Sequence, residues 1–185
     1  MGDPLEMLKR IIVALVCIVS LSLQGCVAPG AGMKSFIDST DGYKFLYPNG
    51  WVPVQVSTGA DVVFHDIIQQ TENVSVVINP VAVGKTLRDL GTPGEVGYRL
   101  ATSAIAPPDS GRKAELVTAE EKEAAGKIYY ILEYATDVNG NKRHNFASVT
   151  VNRGKLYTFN ASTPEDRWDK MEGLLKESVQ SFQVD

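Results

Sequence analysis

Residues 127–162 contain three stretches, KIYYILEYAT (127–136), RHNFASVTV (143–151) and KLYTFNAS (155–162), in which apolar and polar side chains alternate. Alternation with a period of two belongs to a strand with one buried and one wetter face. Asn139-Gly140 and Arg153-Gly154 break the run at short intervals, and Ala125-Gly126 sets off a further stretch, AELVTAEEKEA (114–124), before it. Breaks this short join neighbouring antiparallel strands, so this part of the chain reads as a meander.

The N-terminal half adds more strands. KSFID (34–38) and YKFLY (43–47) flank Asp41-Gly42, the signal of a type I′ hairpin. Pro48-Asn49-Gly50 marks the next turn. WVPVQV (51–56) follows, with Pro53 confining it to an edge or a bulge. DVVFHDII (61–68) and NVSVVINPV (73–81) are separated by a turn at Glu72-Asn73.

Two helices are signalled. Over 92–106, Thr92 is the N-cap, Pro93 stands at N1 and Glu95 at N3, a capping box; Val96, Leu100, Ala104 and Tyr98 supply apolar positions, and Pro107-Pro108 ends the helix. Over 163–182, Thr163 is the expected N-cap and Pro164 the first helical residue. Glu165 and Asp166 lie in the first turn, and Trp168, Met171, Leu175 and Val179 form an apolar stripe. The expected fold is α+β: one antiparallel β-sheet of about six strands, sandwiched by helices.

With 185 residues, 44% of them hydrophobic, the chain is long enough for one domain with a proper core. The net charge of −4 is well mixed, without the basic face that nucleic acid requires. The start of the chain differs in character. Ile11 to Leu23 carries no charge, is too short for the roughly 20 residues that span a bilayer, and follows Lys9-Arg10. That is the pattern of a signal peptide. Asp3 and Glu6 are unusual in such a leader, and Met7 would begin a cleaner one.

Cys17 leaves with the leader, so Cys26 would be alone in the mature chain. This excludes an internal disulfide and makes a poor metal site. Leu23-Gln24-Gly25-Cys26 is similar to a bacterial lipobox. The expectation is a lipoprotein signal peptide over 1–25, a lipidated Cys26 with a flexible tether over 26–33, and a domain over 34–185. Ordinary cleavage near VAPG, with a free thiol, is the alternative.

Catalytic motifs are missing. VGKT (83–86) lacks the glycine that a phosphate loop needs at 79, where Asn stands, and neither G-x-S-x-G nor H-E-x-x-H occurs. The histidines are His65 and His144. His144 can approach Glu165 or Asp166 if the last helix packs near its strand, and such a group would hold zinc or manganese loosely, with water completing the shell. The plainer reading is a polar histidine beside acids placed for the helix dipole. Lys142, Arg143, Arg153 and Lys155 are expected to cluster at the tips of the meander as a docking surface, although tip cations are commonly just solvated.

DSTDGYKFLYPNGW (38–51), HNFASVTVNRGKLYTFNAS (144–162) and EDRWDKMEGLLKESVQSF (165–182) together resemble the PsbP family of extrinsic photosystem II proteins. With the lipobox, the likeness is to its cyanobacterial lipoprotein branch. The resemblance implies an antiparallel sheet between helices, no catalysis, and binding at the lumenal face of photosystem II. For the lipoprotein branch it implies a part in reaction-centre assembly, with photosystem II reaction-centre subunits and the thylakoid membrane as partners and a monomer when alone. It implies no required cofactor. It matches His144 and Glu165 to a metal-binding pair of the plant protein, and so allows loosely bound Zn, Mn or Ca. A metal carrier supporting the oxygen-evolving complex is the alternative function. The basic N-terminal extension of the plant form is replaced here by the short tether.

Overall fold

The computed structural model describes residues 30–57 and 59–185. The leader and Cys26 lie outside the described residues. From Gly32 to Asp185 the chain forms one compact unit.

The strands are β1 (Met33–Asp38), β2 (Tyr43–Pro48), β3 (Trp51–Val54), β4 (Val62–Asp66), β5 (Asn73–Pro80), β6 (Arg112–Ala124), β7 (Lys127–Val138), β8 (Asn141–Asn152), β9 (Lys155–Pro164) and β10 (Gln183–Val184). Helix α1 (Pro93–Leu100) continues into a π-turn over Ala101–Ile105, and α2 spans Trp168–Gln180. All pairings are antiparallel.

The expected single sheet divides into two. Seven strands form the main sheet in the order β3-β4-β5-β9-β8-β7-β6, and β1-β2-β10 form a small second sheet. The meander β6–β9 follows the sequence reading. Its three hairpins close on Ala125-Gly126, Asn139-Gly140 and Arg153-Gly154, and each pair has both residues at positive φ, the type I′ signature. Pro53 lies on the edge strand β3, where a missing N–H disrupts no ladder.

The β1–β2 connection departs from expectation. Asp38 pairs with Tyr43, which leaves a four-residue loop, and Asp41 is not at positive φ. The Asp38 carboxylate accepts the N–H groups of Thr40 and Asp41 at 2.8 and 2.9 Å, so a side chain organises this loop in place of a two-residue turn.

The main sheet buries both faces. On one, Phe64, Val74, Val76, Phe146, Phe159 and Ala161 meet α2 through Met171, Leu175 and Val179, with Tyr43 and Phe45 of the small sheet completing the layer. On the other, Tyr130, Leu132, Tyr134 and Val149 pack under Val96 of α1 and Ala101 of the π-turn that follows it. Adjacent Tyr129 and Tyr130 enter opposite cores, as the pleat requires. At the start of α1 the capping box is formed: the Thr92 side chain accepts the Glu95 N–H, and Glu95 accepts the Thr92 N–H at 2.8 Å.

Candidate functional site

The hairpin β7–β8 and the end of β9 bring His144 to one end of the main sheet. His144 is opposite Ala135 on β7 and Thr163 on β9, and it is buried. Its Nε2 lies 2.7 Å from Glu133 Oε1 and its Nδ1 3.2 Å from Glu165 Oε2. Glu133 is largely covered, and Glu165 is open to solvent. The Trp168 ring stacks on the imidazole, with centroids 3.7 Å apart and planes 10° from parallel.

The expected last helix begins differently, and that change builds this site. Thr163 is not an N-cap. It belongs to β9, is fully buried, and its hydroxyl donates to Glu72 Oε1 at 3.0 Å. A 3-10 turn over Glu165–Arg167 then carries the chain into α2 at Trp168. The turn sets Glu165 over the ring edge and Trp168 over its face. It also directs the Arg167 guanidinium to the buried Glu72 carboxylate, which is 1% exposed. Placing Glu72 in a surface turn missed this pair: the strand pairing beside it draws the carboxylate inward, where it needs Arg167 and Thr163 as donors.

The chemistry of the pair follows from donor counting. A neutral imidazole has one N–H and one lone pair. The 2.7 Å contact leaves no room for an ion, so Nε2 donates to Glu133, which Thr118 Oγ1 also serves at 3.2 Å. Nδ1 then faces a carboxylate across 3.2 Å, an arrangement that calls for a shared proton or a cation. A carboxylate that orients the far nitrogen of a ligand histidine is the usual support of a metal-binding imidazole. For N and O ligands at about 2.0–2.2 Å from a tetrahedral ion, the edge between them is about 3.3–3.6 Å, slightly wider than the 3.2 Å here. With that gap opened by a few tenths of an ångström, Nδ1 of His144 and Glu165 could serve as two ligands of a zinc-type ion.

The other expected site residues fall differently. Asp166 is exposed beside Glu165 and makes no contact with His144; with Thr71, Lys142 and Arg143 it borders a shallow cleft. The four cations do not form one cluster. Lys142 and Arg143 begin β8, whereas Arg153 and Lys155 flank its far turn, 11 residues on from Lys142 at about 3.3 Å each. Arg143 is half-buried, donates to Ser162 Oγ at 2.8 Å and to the Thr71 carbonyl, and its guanidinium is held below its ordinary value by burial. Lys155 Nζ pairs with Asp41 Oδ1 at 2.6 Å. Among the described residues, Lys155 is the one of these four in an ion pair, and Lys142 and Arg153 are the two whose side chains make neither an ion pair nor a hydrogen bond.

Glu133 escaped the sequence reading, although a signal was present. Period two places it on the same face of β7 as Tyr129 and Ile131, an acid where apolar residues are expected. At the far end of the fold, Asp38, Asp41 and Asp61 bring carboxylate oxygens within 4.8 Å of one another. Each already has a protein donor: backbone N–H groups for Asp38, Lys155 for Asp41 and the Tyr43 hydroxyl for Asp61.

Comparison with known proteins agrees with this architecture. The PsbP family model matches residues 31–184. The chain is 50% identical to CyanoP of Thermosynechococcus vestitus over 183 residues, covering 96% of this chain and all of that protein. It is 45% identical to CyanoP of Synechocystis sp. over 182 residues, covering 96% and 97%. The solution structure of the Synechocystis protein superposes with a TM-score of 0.72 at 47% identity, covering 89% of this chain and 99% of that one. The α+β fold with antiparallel sheets is thus shared, and this chain belongs to the PsbP family.

Proposed function

We propose that this chain is a non-catalytic accessory protein, anchored through a lipid on Cys26 at the lumenal side of the thylakoid membrane, that binds photosystem II reaction-centre subunits and assists their assembly or stabilisation. Membership of the PsbP family supports the association with photosystem II. One observation carries the docking geometry: exposed Lys142 and the His144–Glu165 pair share the end of the fold where the chain enters at Gly32. The register shows this. Asn49 N–H donates to Gly32 O at 2.8 Å, Trp51 pairs with Asp66, and Thr71 beyond it accepts from Arg143. A short tether then holds Lys142, rather than Arg153, towards a membrane complex. The test is affinity recovery of reaction-centre subunits from detergent-solubilised thylakoids. Wild-type chain and Arg153→Glu recover them, Lys142→Glu recovers fewer, and equal recovery by all three removes Lys142 from the interface.

A metal-binding role is the second reading, favoured by the Nδ1–Glu165 separation and the Glu133 support behind it. Titration calorimetry with zinc or manganese checks it. Binding is lost in His144→Ala and weakened about tenfold or more in Glu133→Gln, as for other supporting carboxylates. Unchanged binding in His144→Ala rejects the site.

A further inference from the structure

The turn between β4 and β5 exposes Ile67 and Ile68, which are 61% and 83% accessible. Isolated exposed apolar residues are ordinary. This pair differs in how it is held. The Asp66 carboxylate accepts the N–H groups of Ile68 and Gln69 at 2.7 and 2.6 Å. Glu72 N–H donates to Gln69 O at 2.7 Å, Asp66 N–H to Glu72 O at 3.0 Å, and the Thr71 carbonyl accepts from Arg143 and from Asn73 Nδ2. The turn is thus closed on itself and tied to the neighbouring hairpin. Its tip, Ile67-Ile68-Gln69-Gln70-Thr71, contains no charge, and the two acids at its base are both occupied, Asp66 by backbone amides and the buried Glu72 by Thr163 and Arg167. Such a tip can leave water without desolvating an ion.

Its position matters as much as its chemistry. Gly32 and Asp66 both contact the short segment 49–51. Cys26 precedes Gly32 by six residues, which reach at most about 20 Å when fully extended. An acylated Cys26 therefore keeps this end within about 20 Å of the bilayer surface. Val83, 98% exposed, is by contrast in the segment after β5, which is tied by Val81 N–H to the Gly154 turn at the opposite end.

We infer that Ile67 and Ile68 form a second, non-covalent membrane contact: a rigid apolar tip that enters the lipid interface next to the acylated N-terminus and fixes the orientation of the domain. This rests on the lipid-anchor reading above. Two attachment points restrain rotation that a single tether leaves free, and amphipathic protein surfaces bind the headgroup boundary in the same way.

The test uses the full chain, processed in cells and reconstituted into vesicles of phosphatidylcholine and phosphatidylglycerol. A cysteine is introduced by Ile68→Cys, or as control by Val83→Cys, and labelled with an environment-sensitive fluorophore. Both variants must melt like the wild type. The expected result is flotation of both with the vesicles. The label at 68 then shifts to the blue and is quenched by spin-labelled lipid, while the label at 83 does neither. Flotation with a water-like label at 68 overturns the tip and leaves the lipid anchor standing. Failure to float overturns both. A blue shift that needs native membranes and is not quenched by spin-labelled lipid assigns the tip to a protein partner and overturns the lipid assignment.

Discussion

Thr163 and Glu72 show how far a single buried polar group can redirect the chain. Thr163 looks like a helix cap because its hydroxyl is suited to backbone N–H groups. In the fold it serves the buried Glu72 carboxylate, which also receives Arg167. Thr163→Val keeps the shape and removes the donor, and should destabilise by about 1–3 kcal/mol in urea unfolding, because a buried acceptor loses a partner. Asp66, though partly exposed, also sets a local structure through its side chain, the turn that carries Ile67 and Ile68. The backbone N–H of Gln69, then that of Ile68 and the Trp51 indole, hold its carboxyl below the ordinary range, against a smaller opposing effect of desolvation. A carboxyl lowered by folding stabilises above its unfolded value of about 3.9, and the contribution is lost as pH falls through the lower folded value. Amide exchange of Ile68 and Gln69 should therefore quicken as pH drops below about 4, once normalised for intrinsic rates, and Asp66→Asn should remove that dependence.

Among the elements, the three type I′ hairpins of the meander follow their sequence signals because the turn chemistry is local. Ala125 and Arg153 are the weak points: they occupy left-handed conformations at φ 51° and 48° without the side chain that tolerates it. Ala125→Asn should raise stability by about 1 kcal/mol in thermal or urea unfolding. Helix α1 is set by closeness instead. A Cβ on Gly97 would come within 2.9 Å of both Leu116 methyls and 3.3 Å of a Leu132 methyl. Gly97→Val should cost about 1–3 kcal/mol by overpacking and lift α1 from β6 and β7, which near-ultraviolet circular dichroism would register through Tyr130 and Tyr134.

At the scale of the molecule, the two ends of the main sheet have different characters. One gathers the chain entry at Gly32, the Ile67-Ile68 tip, Lys142 and the His144–Glu165 pair. The other holds Asp41–Lys155, the C-terminal strand β10 and Val83. Charge reversal tests docking cleanly only where the cation is not structural. Arg143→Glu should loosen the 66–73 turn and lower thermal stability, because Arg143 ties Thr71 to Ser162. Lys142→Glu should leave the melting temperature unchanged and act on partner recovery alone.

Alternation, turn pairs and the Thr92 capping box are properties of neighbouring residues. The sequence by itself therefore determined the meander, the restriction of Pro53 to an edge or a bulge, and the existence of both helices. The split into two sheets, the late start of α2 and the burial of Glu72 were not legible, because each depends on which distant strand lies alongside. Of the candidate site, His144 and Glu165 were visible as residue types near one another in the expected fold. Only the tertiary structure decided that Glu133 stands behind the ring and Trp168 on it, that Asp166 is left out, and that the four cations part to opposite ends. The physical reason is the same throughout: a hydrogen bond or a packed ring is specified by groups that meet only once strands 10 to 90 residues apart have paired.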